Sequence, residues 1–94
     1  MTNYEKAYQR SSDVRYRIVG DKAVVVRQDL AEVMLLNEVG ARVLDLLDGE
    51  RTMAEINQLI LSEYEVDQAR LEQDLRRFIE ELQRAGILQV SEDR

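Results

Sequence analysis

The stretch "LLNEVGARVLDLLDGERT", Leu35 to Thr52, carries an apolar run straight into a helical pattern with no loop between them. Up to Leu36 the residues read as a strand. Beyond Asn37, residues Val39, Val43, Leu46 and Leu47 recur on one helical face. Asn37 has the chemistry of an N-cap, because its side-chain oxygen accepts from a free first-turn N–H. Glu38 suits the positive end of the helix dipole. Gly40 inside the helix costs about 0.5–1 kcal/mol relative to Ala, which predicts a close packing contact there, most simply with the sheet. Gly49 suits the left-handed residue that ends a helix.

Toward the N-terminus, "VRYRIV" (Val14 to Val19) alternates apolar and basic residues, the pattern of a half-buried strand. Gly20-Asp21 is a turn signal, and Ala23 to Arg27 is a β-branched run, so the two form a hairpin. Gln28 to Ala31 reads as a second turn and Glu32 to Leu36 as a third strand. Short turns make these an antiparallel meander with its first and third strands at the edges.

Toward the C-terminus, Thr52 and Glu55 form a capping box for a second helix with Ile56, Leu59, Ile60 and Tyr64 on its apolar face. Asp67 caps a third helix, where Leu71, Leu75, Phe78, Ile79 and Leu82 share a face. Gly86 ends it, and Ile87 can close on Leu82 in a Schellman contact. "ILQV" follows as an extended tail. The expected architecture is α+β and winged helix-turn-helix-like: a three-stranded antiparallel sheet followed by three helices. Residues 1–12 are expected to be a flexible polar arm, 13–90 the folded domain and 91–94 a tail. Tyr4 and Tyr8 in the arm have the i, i+4 spacing of one helix face.

Composition narrows the function. With 19 acidic and 13 basic residues the net charge is −6, which argues against a polyanion as main partner, since phosphate binding needs clustered Lys and Arg. There is no Cys and no His. Most metal and thiol chemistry therefore has no ligands here, and the two commonest catalytic groups are missing. No metal, cofactor or catalysis is expected. No apolar run approaches about 18 residues, so no membrane span is expected. The N-terminal stretch lacks the apolar segment of a signal peptide, and the absence of Cys fits a reducing cytoplasm.

Two features carry a binding function. The third strand, "EVMLL", is an edge with only one charge, whereas edges are normally blunted with charge. Its apolar residues either point into the core or serve an edge that accepts an extended peptide as a further strand. Met34 there is adaptable to varied partners. The third helix interleaves Arg70, Arg76, Arg77 and Arg84 with Glu72, Asp74, Glu80 and Glu81. Such alternation is commonly a solvated face laced with i, i+4 pairs. As a DNA-recognition helix it lacks an electropositive face. As one wall of a groove, with the edge strand opposite, its alternating signs suit a polypeptide better than a phosphate backbone.

Three motifs in order resemble the PqqD family: Leu36-Asn37-Glu38-Val39-Gly40, then Leu46-Leu47-Asp48-Gly49-Glu50-Arg51-Thr52, then Leu82-Gln83-Arg84-Ala85-Gly86-Ile87. The resemblance covers roughly Val14 to Leu88. It implies a non-catalytic peptide chaperone that binds the leader of a ribosomally made precursor peptide. The chaperone would present that peptide to a modifying enzyme, often a radical S-adenosylmethionine enzyme, in pyrroloquinoline quinone biosynthesis or a related pathway. It also implies a leader lying along the third strand against the third helix. That carries over to Val33, Met34, Leu35 and Leu36 on the strand, and to Arg70, Asp74, Arg77, Phe78 and Glu81 on the helix. A DNA-binding regulator of the same outline is the alternative. The same edge could also pair with its own copy as a homodimer.

Overall fold

The computed structural model describes residues 5–27 and 32–91. The elements in chain order are β1 (Ala7–Arg10), β2 (Val14–Val19), β3 (Lys22–Arg27), β4 (Glu32–Leu36), α1 (Glu38–Leu46), β5 (Asp48–Thr52), α2 (Met53–Glu63), α3 (Gln68–Arg84) and β6 (Leu88–Val90). The class is α+β, as the alternation of periods predicted. The expected meander is present, in the order β2-β3-β4. Gly20 (φ 64°) and Asp21 turn β2 into β3, with Val19 opposite Lys22. β4 pairs with β3 from Ala23↔Leu36 to Arg27↔Glu32, and no strand pairs with its other edge among the described residues. The turn expected at Gln28 to Ala31 lies outside the described residues.

A second sheet, β5-β1-β6, departs from the sequence reading. Residues 7–10 fell within the expected flexible arm, yet they form its central strand, with Ala7 and Tyr8 fully buried. Tyr4 lies outside the described residues. "ILQV" is extended as expected over Leu88–Val90, but it is a paired strand and not a tail: Tyr8 pairs with Val90 and Arg10 with Leu88. Main-chain bonds stitch the margins: Met53 N–H donates to the Lys6 carbonyl (3.1 Å), Ser91 N–H to Ala7 (3.0 Å) and Ser11 N–H to Ile87 (2.8 Å). "AYQR" is too short to show a period, and its partners come from distant parts of the chain. Nothing local marks it as a strand.

β1 also completes α1. That helix has no basic residue in its last turn, and its final carbonyls are under-satisfied within the helix; Leu44 O accepts from the Leu47 cap N–H at 3.2 Å. Arg10 Nη1 donates to the carbonyls of Leu44 (2.7 Å) and Leu47 (3.2 Å), placing a cation at the negative end of the helix. The same guanidinium lies 4.9 Å from the centroid of the Tyr16 ring, within cation–π range. The Tyr16 hydroxyl donates to Asp45 Oδ1 at 2.6 Å. Burial, then this bond, raises the phenol above its ordinary pKa of 10.0.

The expected caps form. Gly40 N–H donates to Asn37 Oδ1 (2.9 Å), and Arg70 N–H donates to Asp67 Oδ2 (2.9 Å). Thr52 and Glu55 exchange the two bonds of a capping box. The end of α3 is a Schellman motif: Ile87 N–H donates to Leu82 O and Gly86 N–H to Gln83 O. Gly86 is left-handed (φ 76°), and a side chain there would collide with the Arg27 guanidinium, which binds the Ala85 carbonyl at 2.7 Å. Gly49 is also left-handed (φ 87°) but lies inside β5, two residues beyond the Leu47 cap, where a Cβ would stand 2.8 Å from Gln9 Oε1. The core runs between the inner sheet faces and the three helices. It includes Val25 of β3, Leu44 of α1, Ile56 and Ile60 of α2, and Ile79 and Leu82 of α3.

Asn37→Ala is expected to cost about 1 kcal/mol of stability, the usual loss for an N-cap, read from the midpoint of denaturant unfolding. Asp48 accepts from the backbone N–H groups of Arg51 and Glu50, which hold its carboxyl below the ordinary value of 3.8. A depressed folded-state pKa gives stability that is present above 3.8 and lost as the pH falls through the lower folded value. Asp48→Asn should therefore flatten the acid limb of stability against pH, measured by melting from neutral pH down to acid.

Candidate functional site

The one-residue corner at Asn37 sets α1 directly against the end of β4, and α3 packs alongside. A groove of about 680 Å³ opens between them. Its floor is apolar. Leu71 and Leu75 reach it from α3, Val39 and Val43 from α1, and Leu36 from β4. Phe78 is half-buried in the floor, and Val66 stands exposed at one mouth. The outer rim is charged: Arg70, Asp74, Arg77 and Glu81 follow one another along α3. Arg70 and Asp74 are joined by an exposed i, i+4 ion pair at 3.7 Å, a weak contact in water. The signs alternate, so the rim offers no continuous positive strip for a phosphate backbone.

Of the sequence-predicted residues, Leu35, Leu36, Arg70, Asp74, Arg77, Phe78 and Glu81 border this one groove. Val33 and Met34 do not. They border a smaller hollow of about 340 Å³ with Val25, Arg27, Ala85 and Ile87, at the other end of α3. β4 and α3 therefore run in opposite directions, with the groove at the C-terminal end of β4 and the smaller hollow, which also reaches β3, at its N-terminal end. The alternation along β4 also sorts its side chains: Leu36 is buried, whereas Val33 and Leu35 stand exposed.

Gly40 was expected to mark a packing contact with the sheet. The Leu36 side chain is near (3.4 Å from a Cβ built at Gly40), but so are Asn37 Oδ1 (3.3 Å) and, from α3, Phe78 Cζ (3.6 Å). Gly40 thus lets the rim of α1 open onto Phe78, and both line the groove. The sequence pattern placed Val39, Val43, Leu71 and Leu75 on the apolar faces of their helices and not among the peptide-binding residues. They do face inward, but the gap between α1 and α3 leaves part of that apolar surface lining an open groove. Only the distance between the two helices, which no local pattern encodes, could have revealed this.

Among the described residues no cluster of His, Cys, Asp or Glu is arranged to hold a metal ion, and no helix is long and apolar enough to cross a membrane. Among the described residues the site combines an unpaired main-chain edge, an apolar trough beside it and a charged rim. Together they can bind an extended polypeptide by backbone hydrogen bonds on one side and side-chain burial on the other.

The sequence model of the family described as coenzyme PQQ synthesis protein D (PqqD) matches residues 22–88. No curated protein matches the chain. Three solved structures are similar in fold. A structure described as TbiB1 in complex with the TbiA(beta) leader peptide is 30% identical, with TM-score 0.79, covering 86% of this chain and 94% of that one. A lasso peptide synthetase B1 complexed with the leader peptide is 21% identical, with TM-score 0.77, covering 87% and 96%. The heterocyclase TruD is 18% identical, with TM-score 0.63; the match covers 90% of this chain but 11% of that one. At these lower identities the last two speak for the fold alone.

Phe78→Ala is expected to lower stability by about 2 kcal/mol, less than the roughly 3–5 kcal/mol of a fully buried Phe, because one side of the ring already faces the groove. Thermal unfolding of the variant beside the parent measures it.

Proposed function

Because this chain belongs to the PqqD family, we propose that it is a non-catalytic peptide chaperone that captures the leader of a ribosomally made precursor peptide and presents it to a modifying enzyme. The observation that carries this reading is the free edge of β4 beside the apolar groove against α3. A peptide added there would bond its main chain to β4 and bury alternate side chains toward Phe78 and Leu75. The leader peptide bound by TbiB1, a protein of the same fold at 30% identity, supports the same role here.

In this reading Val33, Met34, Leu35 and Leu36 supply the strand, and Arg70, Asp74, Arg77, Phe78 and Glu81 the helical wall. The peptide takes its register from β4 and its selectivity from the groove. Holding a substrate beside its enzyme raises the effective concentration of the reacting segment, so the chain contributes binding while the chemistry belongs to the partner. The absence of His and Cys from the sequence fits that division of labour. A radical S-adenosylmethionine enzyme as that partner, and the cytoplasm as the compartment, complete the proposal. DNA binding is not favoured, since the rim of α3 alternates in sign.

Titrating a labelled leader peptide of a candidate precursor is expected to shift amide resonances of Glu32–Leu36 and of α3. Strand addition makes a sharper demand. In β4 only the amides turned away from β3 should gain protection from hydrogen exchange, since the others are already bonded. Uniform protection of β4, or shifts confined to the β5-β1-β6 sheet, would overturn the reading.

A further inference from the structure

The register of the meander sorts its side chains onto two faces. Ala23, Val25 and Leu36 turn into the core. The opposite face carries Arg15, Val26 and Val33 in one cross-strand row, Arg17, Val24 and Leu35 in the next, and Val19 beside Lys22 beyond. Val19, Val33 and Leu35 are 57%, 64% and 71% exposed, so no described element covers them. Isolated exposed hydrophobics are ordinary, but a contiguous group on one flat face marks an interaction surface.

The charges on this face decide what kind of surface fits it. The chain carries 19 acidic residues against 13 basic, yet the charged residues that register places here, Arg15, Arg17 and Lys22, are all basic. Lys22 leans on its neighbour Asp21 (3.8 Å), and Arg15 is tethered to the carbonyls of Ser12 and Val14. Arg17 has no ion pair among the described residues. An apolar patch with arginines along one side matches an apolar patch rimmed by carboxylates. A second copy is a poor match, because it would bring the same cations with no carboxylate beyond Asp21, already beside Lys22, and buried charges without partners are costly.

We propose that the outer face of the β2-β3-β4 sheet docks a different protein through an apolar patch edged with Asp and Glu, and that this protein is the enzyme that receives the peptide. The identity of that partner rests on the proposed function; the docking face does not. The geometry makes the two compatible. A peptide added along β4 extends the same sheet by one strand, so a partner seated on the outer face would meet the outward side chains of the captured peptide at its margin.

The test uses the full chain, a purified candidate peptide-modifying enzyme and the leader peptide of its precursor. Arg17→Glu and Val19→Glu lie on β2, away from the groove, and are expected to leave melting and leader affinity unchanged. Each should weaken binding to the enzyme at least tenfold by calorimetry, while Arg17→Lys keeps most of it. Wild-type binding to the enzyme should also weaken as salt is raised. Unchanged enzyme affinity in both Glu variants overturns the proposal, as does wild-type chain that does not bind the enzyme at all. Self-association that disappears in Arg17→Glu would assign the face to a second copy instead and equally overturn it. Failure of leader binding with enzyme binding intact would remove the chaperone reading and leave the docking face standing.

Discussion

A single hydrogen bond, from the Gly40 amide to Asn37 Oδ1, stands at the hinge of this architecture. It lets the chain pass from β4 to α1 across one residue. With no loop between them, the chain passes straight into α1, and among the described residues β4 stays at the border of its sheet. The same corner sets the first turn of α1, with Val39 and Gly40, at the end of that strand. The groove is therefore the space left when a helix starts so soon after an edge strand and a second helix packs beside both.

The β5-β1-β6 sheet holds the rest of the molecule to this arrangement. β1 joins segments from the middle and the end of the sequence, and through Arg10 it ties the carbonyl end of α1 to the Tyr16 ring of β2. A fork between α1 and α2, in which Arg42 Nε and Nη2 donate to the two Glu63 oxygens at 2.9 and 2.8 Å, adds a second tie. That bond lowers the Glu63 carboxyl below its ordinary value. Being exposed, it contributes more to orientation than to stability. Arg27, bound to the Ala85 carbonyl, pins the C-terminal end of α3 to β3. The helices that wall the groove are thus each fastened to a strand or to one another by an arginine.

In the proposed role the groove would separate two kinds of recognition. Backbone groups on the β4 edge recognise any extended chain and cannot discriminate among sequences. The floor, with Phe78, Leu75 and Val43, would select by size and hydrophobicity, and the alternating charges above it would add a pattern for a complementary peptide to match. A small domain without His or Cys can do this well, because it needs no reactive group, only a held edge and a shaped trough.

What was legible in the sequence is what neighbouring residues decide among themselves. The caps at Asn37, Thr52 and Asp67, the Schellman end at Gly86, the β2-β3 hairpin and the apolar stripe of α3 are all set by contacts a few residues apart, so short patterns encode them. The positions of α3 to which the family resemblance pointed border the groove. Tertiary structure alone decided the rest. "AYQR" became a central strand only because β5 and β6 come to either side of it, and Tyr8 is buried by residues far away in the chain. The split of β4, with Leu36 inward and Val33 and Leu35 outward, depends on the helices covering one face of the sheet. The opening between α1 and α3 depends on how far apart two helices come to rest, and that distance is settled by the whole core at once.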